Sequence, residues 1–488
     1  MTEPVFEISL AELLDGWVDS GPVPATRIGG LALDHRRLEP GDAFVALAGG
    51  QSHGMDYLNA AIESGAVAII HDGRREAPAD CPVPAPAVAG LSERLPELAR
   101  RLWGDMSEMD LLAVTGTNGK TSVAWLLAQA LDGAMIGTLG VGRPGHHDPG
   151  SLTTPDVLAI YRALARLRDH GVHCVVLEAS SHALDQQRLA GLEFTSVVFT
   201  TLGHDHLDYH GDLHAYGEAK ARLFRDFVST RQIINVDDPF GRMLADELGD
   251  AAGLLTCGVQ TEQPVDVRGR LLAADRTGIQ AELTVAGQTF KVSASLLGRV
   301  NLYNLLIVAG ELNARGVSAE QISTTLAKLE PVPGRMQPVS GARGRTVVID
   351  YAHTPDALES TLGSLRELTV AQLWCVFGCG GDRDRAKRPR MGRVAESLAD
   401  QIVLTDDNPR HEDSLAIIRA IQAGMRRPQR CYVIPDRAEA IRKTIDLAGD
   451  DDLILVAGKG HETEQIVGDR KLVFSDEAVV RQVLEAAA

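Results

Sequence analysis

The chain has 488 residues and a mass of 52.3 kDa, which is too long for one compact core and favours two to four domains. Lys and Arg total 48 against 66 Asp and Glu, a formal net charge of −18. This excess of acid excludes a global basic field for nucleic acid or an anionic membrane, so anionic ligands must be held by local sites.

The N-terminal residues, the absence of a long apolar stretch and the cysteines predict the cellular compartment. The N-terminal residues are acidic and amphipathic, and no later stretch is long and apolar enough to span a bilayer. The six cysteines are scattered without metal-ligand spacing, and inert packing is the better interpretation for Cys375 and Cys379. We expect a cytoplasmic monomer with reduced cysteines, without membrane insertion.

The pattern of strands and helices predicts an α/β protein of three domains. Residues 1–109 mix short apolar runs with turns and form a small α/β module. Residues 110–335 alternate apolar strands with helices, as in a mostly parallel sheet, and gain a β-rich appendage near residues 265–296. After the turn at Pro331 to Arg335, residues 336–488 alternate again and predict a Rossmann-like, doubly wound domain.

The most specific motif is a phosphate loop. An apolar strand from Leu111 runs into a glycine-rich turn, a lysine and two hydroxyl residues that open a helix: Gly116, Thr117, Asn118, Gly119, Lys120, Thr121 and Ser122. Backbone N–H groups and the helix dipole would face a phosphate there, Lys120 would add charge, and Thr121 would ligate Mg²⁺. In the usual Walker A pattern, the first glycine would stand at position 114, where this chain has valine. The loop is therefore a shortened form, and the sequence is less typical of an ordinary GTPase or kinase.

Three further positions suggest metal binding, each with a plainer alternative. Glu178 ends a predicted central strand, where it would bind Mg²⁺ or bond to a neighbouring helix. One loop holds His204, His206 and His210 between acids, and we expect one metal ligand at most among otherwise solvated residues. Lys220 follows on a helix, where a surface lysine is the default interpretation.

Together these motifs resemble the Mur ligase family over essentially the whole chain: GTNGKTS, LEASSHALDQQR, HDHLDYHG followed by GEAK, GRVNLYN, VPGRM and VIDYAHTPD. The resemblance implies an ATP-dependent ligase that activates a carboxylate as an acyl phosphate and joins it to an amine. The N-terminal module resembles those that bind a uridine diphosphate, and the implied acceptor is UDP-N-acetylmuramoyl-L-alanyl-D-glutamate.

The resemblance also implies roles for single residues. Lys120, Lys220 and His206 would be catalytic, and Mg²⁺ would be bound by Thr121, Glu178, His206 and Lys220, the last as a carbamate made from CO₂. Asn301, Arg335 and Asp350 would complete the ATP site. The UDP-substrate would contact Leu33, His35, Gly50, Gln51, Ser52, Thr153, Thr154, Ser180, Gln186 and Arg188. Where the family commonly has Asp-Ser-Arg, this chain has Asp34-His35-Arg36, and the His35 ring can donate a hydrogen bond in place of the serine.

DDNPR and AGKGHE resemble the motifs of the family members whose amine substrate is meso-2,6-diaminopimelate. This amine differs from lysine by a terminal carboxylate on its side chain, which the planar guanidinium of an arginine would bind. Arg410 would pair with that carboxylate. The other implied contacts are Arg383, Asp407, Asn408, Pro409, Gly458 and Glu462. Without the resemblance, DDNPR is an ordinary polar turn.

Several alternatives remain open from the sequence. The chain could be an L-lysine-adding ligase or a folylpolyglutamate synthetase-like ligase, although the latter needs neither the uridine module nor DDNPR. An NAD-type dehydrogenase is suggested by FGCGGD, but Arg383 stands at the third glycine position. A non-catalytic ATP-binding regulator would account for the phosphate loop alone.

Overall fold

The computed structural model describes residues 6–18, 24–50, 52–148, 150, 152–341 and 345–486. The chain divides into two compact units. The first consists of Met1–Gly116, Leu127–Val198 and His214–Gln232, and the second of Thr117–Leu126, Phe199–Leu213 and Ile233–Ala488. In the described part of the chain no helix is long and apolar enough to cross a membrane.

The N-terminal segment forms a small α/β module within the first unit. Its elements are β1 (Ile8–Ser9), α1 (Leu10–Leu13), β2 (Arg27–Ile28), β3 (Gly30–Ala32), β4 (Asp42–Ala46), α2 (Leu58–Glu63), β5 (Ala68–His71) and α3 (Leu91–Trp103), with short 3-10 turns at His35–Arg37 and Gly54–Tyr57. Strands β3, β4 and β5 pair in parallel. Phe44 and Ile69 pack beneath Leu58 and Ala61 of α2, which gives this module its own core.

The next segment carries the strands that flank the phosphate loop. Its elements are β6 (Asp110–Thr115), α4 (Lys120–Ala130), β7 (Ala134–Gly137), β8 (Gly140–Arg143), β9 (His146–Asp148), α5 (Val157–Asp169), β10 (Cys174–Glu178), α6 (Ser181–Asp185), β11 (Phe194–Phe199), α7 (Leu207–His210), α8 (Leu213–Arg225) and β12 (Ser229–Asn235). In the first unit β6, β10 and β7 are parallel, and β8 and β9 continue antiparallel. Glu178 pairs with Val114, so it reaches the carboxyl end of the sheet, as predicted.

The β-rich appendage lies in the second unit. Its elements are α9 (Pro239–Leu248), β13 (Leu254–Gly258), β14 (Val267–Asp275), β15 (Gly278–Val285), β16 (Gln288–Ala294), α10 (Val300–Ala314) and α11 (Ala319–Ala327). Strands β14, β15 and β16 form the antiparallel meander that their period-two pattern predicts. Gly269 of β14 lets α10 approach, since a Cβ there would lie 2.9 Å from Leu306.

The C-terminal segment forms a second sheet. Its elements are β17 (Gln337–Ser340), β18 (Thr346–Asp350), α12 (Pro355–Leu368), β19 (Leu373–Phe377), α13 (Lys387–Leu398), β20 (Gln401–Leu404), α14 (Ser414–Gln422), β21 (Tyr432–Val433), α15 (Arg437–Leu447), β22 (Leu453–Ala457), β23 (Glu464–Val467), β24 (Arg470–Val473) and α16 (Asp476–Ala486), with a 3-10 turn at Pro428–Arg430. The strand order is β17-β18-β22-β19-β20-β21, and all but β17 run parallel.

This second sheet is doubly wound, as expected. Helices α12, α13 and α14 pack on one face and α15 and α16 on the other. From β18 to β21 the chain moves across the sheet in one direction, and it then returns to place β22 between β18 and β19. Because crossovers between parallel strands are right-handed, this return places α15 on the opposite face of the sheet. The order therefore differs from the Rossmann order 3-2-1-4-5-6. Cys375 and Cys379 are free thiols inside this core, where burial raises the pKa of Cys379 to about 12.

Candidate functional site

The phosphate loop has the backbone that its glycines predict. Gly116 and Gly119 take φ values of 146° and 89°, which a side chain would strain. Within the second unit, the Thr117 N–H donates to the Thr201 carbonyl over 2.6 Å, and the Thr200 hydroxyl donates to the Asn118 carbonyl over 2.6 Å. Bonds to Thr200 and Thr201 therefore fix the loop ahead of α4, at the position where a glycine-rich turn and a helix N-terminus bind phosphate.

Lys120 begins α4 and its ammonium folds back over the loop. Its Nζ donates to the Thr117 carbonyl over 2.9 Å. The positive charge thus lies beside the backbone that would cradle a phosphate, which is the arrangement that phosphoryl transfer requires.

A cavity of about 410 Å³ adjoins the loop in the second unit. Its lining includes Asn118, Gly119, Thr200, Asn235, Asp237, Tyr303 and Asn304. This volume is within the range of small-ligand pockets. Asn301, which was predicted to bind ATP, does not line the cavity, but its Oδ1 accepts a bond of 2.8 Å from Asn304. Asn301 therefore orients Asn304. Asn304 was not predicted from the sequence, although its spacing of three residues places it on the same face of α10 as Asn301.

Asp237 and Tyr303 were also missed, and they make one wall of this cavity rigid. The Asp237 carboxylate accepts the N–H groups of residues 259, 260 and 261 over 2.8, 2.8 and 2.7 Å. Burial opposes its ionisation, yet these bonds and one from the Tyr303 hydroxyl lower the pKa of Asp237 overall. Burial and the neighbouring Asp237 raise the pKa of Tyr303.

Arg335 and Asp350 meet near the loop in the second unit. Asp350 is buried and accepts the N–H groups of Met336 and Ala352 over 2.7 and 2.8 Å, while burial raises the pKa of Asp350. The Arg335 guanidinium stacks on Tyr351 at 4.5 Å and lies 3.4 Å from the Thr121 hydroxyl. Asp350 therefore fixes the turn that brings Arg335 to a predicted Mg²⁺ ligand.

Glu178 is fully buried in the first unit. Its Oε1 accepts the Thr138 N–H over 2.7 Å, and its Oε2 accepts the Thr138 hydroxyl over 3.2 Å. Both of these bonds come from the turn that follows β7. Gly137 makes room, because a Cβ there would lie 2.2 Å from Oε1. A buried carboxylate held in this way suits a divalent cation.

Lys220 corrects the expectation of a surface lysine. Its side chain is 1% exposed, and its Nζ donates to the Gly116 carbonyl over 2.7 Å and lies 4.3 Å from the Tyr216 ring centre. The helical spacing of α8 turns Lys220 inward together with Tyr216 and Phe224. Lys220 is therefore a buried amine whose partner is the carbonyl at the start of the phosphate loop.

Five residues predicted to contact the muramoyl dipeptide form one network beside Glu178. The Thr154 hydroxyl donates to the Glu178 carbonyl over 2.6 Å and accepts the Ser180 N–H over 3.1 Å. Arg188 donates to the Thr154 carbonyl over 2.7 Å and to the Gln186 amide oxygen over 2.7 Å. The Thr153 and Thr138 hydroxyls lie 3.1 Å apart, which joins Thr153 to the same cluster.

The residues predicted to contact the uridine diphosphate lie in the N-terminal module. Leu33 lines a cavity of about 830 Å³ in the first unit. The His35 ring stacks on Tyr57 with centroids 5.0 Å apart, and the Ser52 hydroxyl is 3.3 Å from the Tyr57 hydroxyl. Gly50 lies on the same loop, while Gln51 is outside the described residues. His35 thus acquires a neighbour, Tyr57, that the sequence reasoning did not connect with it.

The histidine-rich loop is solvated in the second unit. His206 takes a left-handed φ of 53°, its side chain is 48% exposed, and its Nε2 lies 3.6 Å from Asp205. Among the described residues, no group of three or more His, Cys, Asp or Glu side chains is arranged to hold a metal ion. His206 as a ligand therefore remains a prediction.

The predicted amino-acid residues gather at the carboxyl ends of β20 and β22. Asp407, Asn408 and Pro409 are buried, Arg410 takes a φ of 51°, and Gly458 takes a φ of 115°. The Asn408 amide donates to Glu462 over 3.0 Å, and Arg410 Nη1 donates to the Gly381 carbonyl over 2.9 Å.

Arg383, which was predicted, and three buried cations, which were not, lie near the same loops. Arg383 is exposed, and a Cβ at Gly380 would lie 3.6 Å from it and 3.0 Å from Arg410. The Tyr351 hydroxyl has Glu462, Arg335, Asp407 and Arg410 as charged neighbours, and burial raises its pKa. The sequence reasoning missed Arg388, Arg437 and Lys459, all buried cations near these loops.

A phosphate loop ahead of a parallel sheet, followed by a doubly wound domain with a charged loop site, defines a nucleotide-dependent α/β enzyme. The sequence model of the Mur ligase middle domain matches residues 114–311, and that of the Mur ligase glutamate ligase domain matches residues 334–460. The chain belongs to the Mur ligase family.

Three relatives with the same printed name are similar over nearly their whole lengths. The UDP-N-acetylmuramoyl-L-alanyl-D-glutamate–2,6-diaminopimelate ligase of Xanthomonas campestris is 47% identical over 94% of both chains. That of Alkalilimnicola ehrlichii is 45% identical over 97% of this chain and 98% of its own. A solved structure of such a ligase is 34% identical, with a TM-score of 0.66, and covers 98% of this chain and 99% of its own.

Proposed function

We propose that this chain is an ATP-dependent, ADP-forming ligase that adds meso-2,6-diaminopimelate to the D-glutamyl γ-carboxylate of UDP-N-acetylmuramoyl-L-alanyl-D-glutamate, a step of peptidoglycan precursor synthesis. The observation that carries the proposal is the 47% identity, over 94% of both chains, to a relative named for these substrates. The phosphate loop and the loop site at β20 and β22 support it. A ligase that uses ATP and a UDP-linked acceptor would work in the cytoplasm, and we propose that it acts as a monomer.

The chemistry follows from the weakness of a carboxylate as an electrophile. Transfer of the γ-phosphoryl group to the carboxylate gives an acyl phosphate and ADP; the amine attacks the acyl carbon, and phosphate leaves. Lys120 would offset charge on the phosphoryl group, and the loop N–H groups would orient it. The buried setting of Glu178 and Lys220 would keep water from the intermediate.

We also propose sites for Mg²⁺, which would supply charge neutralisation for phosphoryl transfer. In the first unit, the ligands would be Glu178 and a carbamate formed when the neutral Lys220 amine adds to CO₂ and loses a proton. In the second unit, Thr121 and His206 would be ligands. The buried carboxylate of Glu178 and the buried amine of Lys220 fit these roles.

Amine specificity would lie in the turn after β20. Arg410 would pair with the carboxylate that diaminopimelate has and lysine lacks, because a guanidinium can bind a carboxylate through two parallel bonds. Its main chain is anchored for this role: the Arg410 N–H donates to the Ile466 carbonyl over 3.0 Å, and its own carbonyl accepts the Gly468 N–H over 2.7 Å.

The proposal is tested by phosphate release from ATP with Mg²⁺ and the UDP-linked dipeptide, comparing meso-diaminopimelate with L-lysine. The wild type is expected to require the dipeptide and to prefer diaminopimelate strongly. In Arg410→Ala that preference should fall by about 10- to 100-fold, the effect of losing a charged hydrogen-bond pair. Arg419→Ala is the matched control, because Arg419 is an exposed arginine on α14.

Each other outcome removes a stated part of the proposal. Equal turnover of lysine and diaminopimelate by the wild type would favour the lysine-adding alternative and remove the role of Arg410. Turnover with a folate acceptor in place of the UDP-linked dipeptide would favour the folylpolyglutamate alternative. Absence of amine-dependent phosphate release would refute the proposed reaction.

A further inference from the structure

Lys459 is a buried cation in the loop after β22. Its side chain is 0% exposed, and its glycine neighbours Gly458 and Gly460 take left-handed φ values of 115° and 55°. Burying an ammonium group without partners is costly, so the surrounding groups must compensate its charge. The partners of Lys459 therefore indicate what it does.

Both partners of Lys459 belong to the predicted amino-acid site. Its Nζ donates to Glu462 Oε2 over 2.8 Å and to Asn408 Oδ1 over 3.1 Å. Lysine has only donors, so the Asn408 amide must turn its oxygen toward Lys459. The Ile466 N–H donates to the same oxygen over 2.9 Å, and the Asn408 nitrogen then donates to Glu462 Oε2 over 3.0 Å.

This closed set of bonds orients the Glu462 carboxylate. Lys459 and Asn408 both donate to Oε2, while the Glu462 side chain is 32% exposed. Oε1 is consequently the oxygen that Glu462 can offer to a ligand.

We propose that Lys459 is a positioning residue for the amino-acid substrate: acting through Glu462 and Asn408, it holds a carboxylate oxygen ready to accept a hydrogen bond from the substrate's ammonium group. The inference rests on the proposed function for the location of the amino-acid site. It adds a residue that makes no contact with the substrate but sets the geometry and charge of two that do.

The test compares KM and kcat for each substrate in Lys459→Met, which keeps the unbranched shape of the side chain up to Cε and removes the ammonium group with its charge and donors. The KM for diaminopimelate is expected to rise about 10- to 100-fold, because the half-buried Glu462 carboxylate loses its charged partner. The KM values for ATP and the UDP-linked dipeptide should stay within about twofold. Lys443→Met, at an exposed lysine of α15, is the control and should match the wild type.

A double-variant cycle separates positioning from simple structural support. If Lys459 acts through Glu462, then Lys459→Met added to Glu462→Gln should raise the diaminopimelate KM by less than about threefold beyond Glu462→Gln alone. Fully additive effects would overturn the inference, as would a Lys459→Met enzyme with an unchanged diaminopimelate KM. Thermal melts of each variant identify a loss of fold, which would affect all three KM values together.

A second measurement covers the case in which Lys459→Met does not fold. In Lys459→Ala, added propylammonium should enter the vacated space and lower the diaminopimelate KM toward the wild-type value, with no effect on Lys443→Ala. Absence of rescue in a folded Lys459→Ala enzyme would overturn the inference. A wild type that lacks amine-dependent turnover would instead refute the proposed function, so the two failures are distinguishable.

Discussion

Glu412 holds the loop that carries Arg383 through an ion pair with the buried Arg388. Arg388 donates to both Glu412 oxygens over 2.9 and 3.0 Å, and Glu412 also accepts the Asp382 N–H over 2.7 Å. The bond from Arg388 is the main cause that lowers the pKa of Glu412 from 4.5 to about 2.

This depressed pKa predicts a loss of stability in acid. A carboxyl whose pKa is lower in the folded state contributes stability above its unfolded pKa and loses it as the pH falls through its folded pKa. We expect the melting temperature of Glu412→Gln to lie below that of the wild type at pH 6 and the two to converge between about pH 4.5 and 2. Differential scanning fluorimetry over this range checks the expectation, and parallel curves with a constant offset would contradict it.

At the scale of the element, the end of β7 is shaped to accommodate Glu178. A Cβ at Gly137 would lie 2.2 Å from Glu178 Oε1 and 2.8 Å from its Cγ, so the carboxylate would have to move. We expect Gly137→Ala to lower amine-dependent phosphate release at least about tenfold, since small displacements of positioned groups reduce catalysis strongly.

The control for this prediction is a glycine without such a neighbour. Gly363 lies within α12, and a Cβ there would meet no atom within 4 Å. Gly363→Ala should leave activity unchanged and stabilise the helix by up to about 1 kcal/mol. Equal activities of Gly137→Ala and the wild type would show that Glu178 does not depend on this geometry.

Helices α15 and α16 are joined to the strand ends by a fully buried ion pair. Arg437 donates to both Asp476 oxygens over 2.7 and 2.8 Å, and it also donates to the Ala457 and Asp406 carbonyls over 2.9 and 3.2 Å. These carbonyls immediately precede Gly458 and Asp407. The pair therefore supports both loops of the predicted amino-acid site.

Breaking this pair should destabilise the fold strongly. Removing one partner leaves a buried charge uncompensated, which typically costs about 3–5 kcal/mol. We expect this loss of unfolding free energy in Asp476→Asn by urea denaturation. Glu477→Gln, on the same helix but paired at the surface with Arg481, should lose less than about 1 kcal/mol. Comparable losses in the two variants would show that the buried pair is not a special support.

At the scale of the whole molecule, the two compact units carry different predicted ligand sites. The predicted UDP-substrate residues belong to the first unit, and the predicted amino-acid residues and most ATP residues belong to the second. The domain boundaries at residues 109 and 335 remain a prediction, because the compact units do not follow them.

This division predicts separate footprints in hydrogen exchange. ADP should slow amide exchange most in residues 117–122 and 299–304, and the UDP-linked dipeptide most in residues 33–36 and 153–188, because a bound ligand suppresses local opening. Mass spectrometry of peptic peptides measures both. Protection of residues 33–36 by ADP as strong as that of residues 117–122 would contradict the assignment of the sites.

The sequence by itself determined most of the elements of this protein and the phosphate-loop motif, because both depend on local pattern. Apolar runs followed by turn residues predicted β6, β10 and β18, and the glycines and lysine of residues 116–120 predicted the phosphate loop. Family resemblance then supplied roles for residues such as Glu178 and Arg410, whose local surroundings read as an ordinary strand end and an ordinary turn.

Only the tertiary structure decided which polar side chains are buried and what they contact. Lys220 was expected to be a surface lysine, and Lys459 was not singled out in the sequence, yet both side chains are buried. Asn304 in place of Asn301 lines the cavity for the same reason. Burial and hydrogen-bond partners arise from contacts between elements, and these contacts leave no periodic signal in the segments that make them.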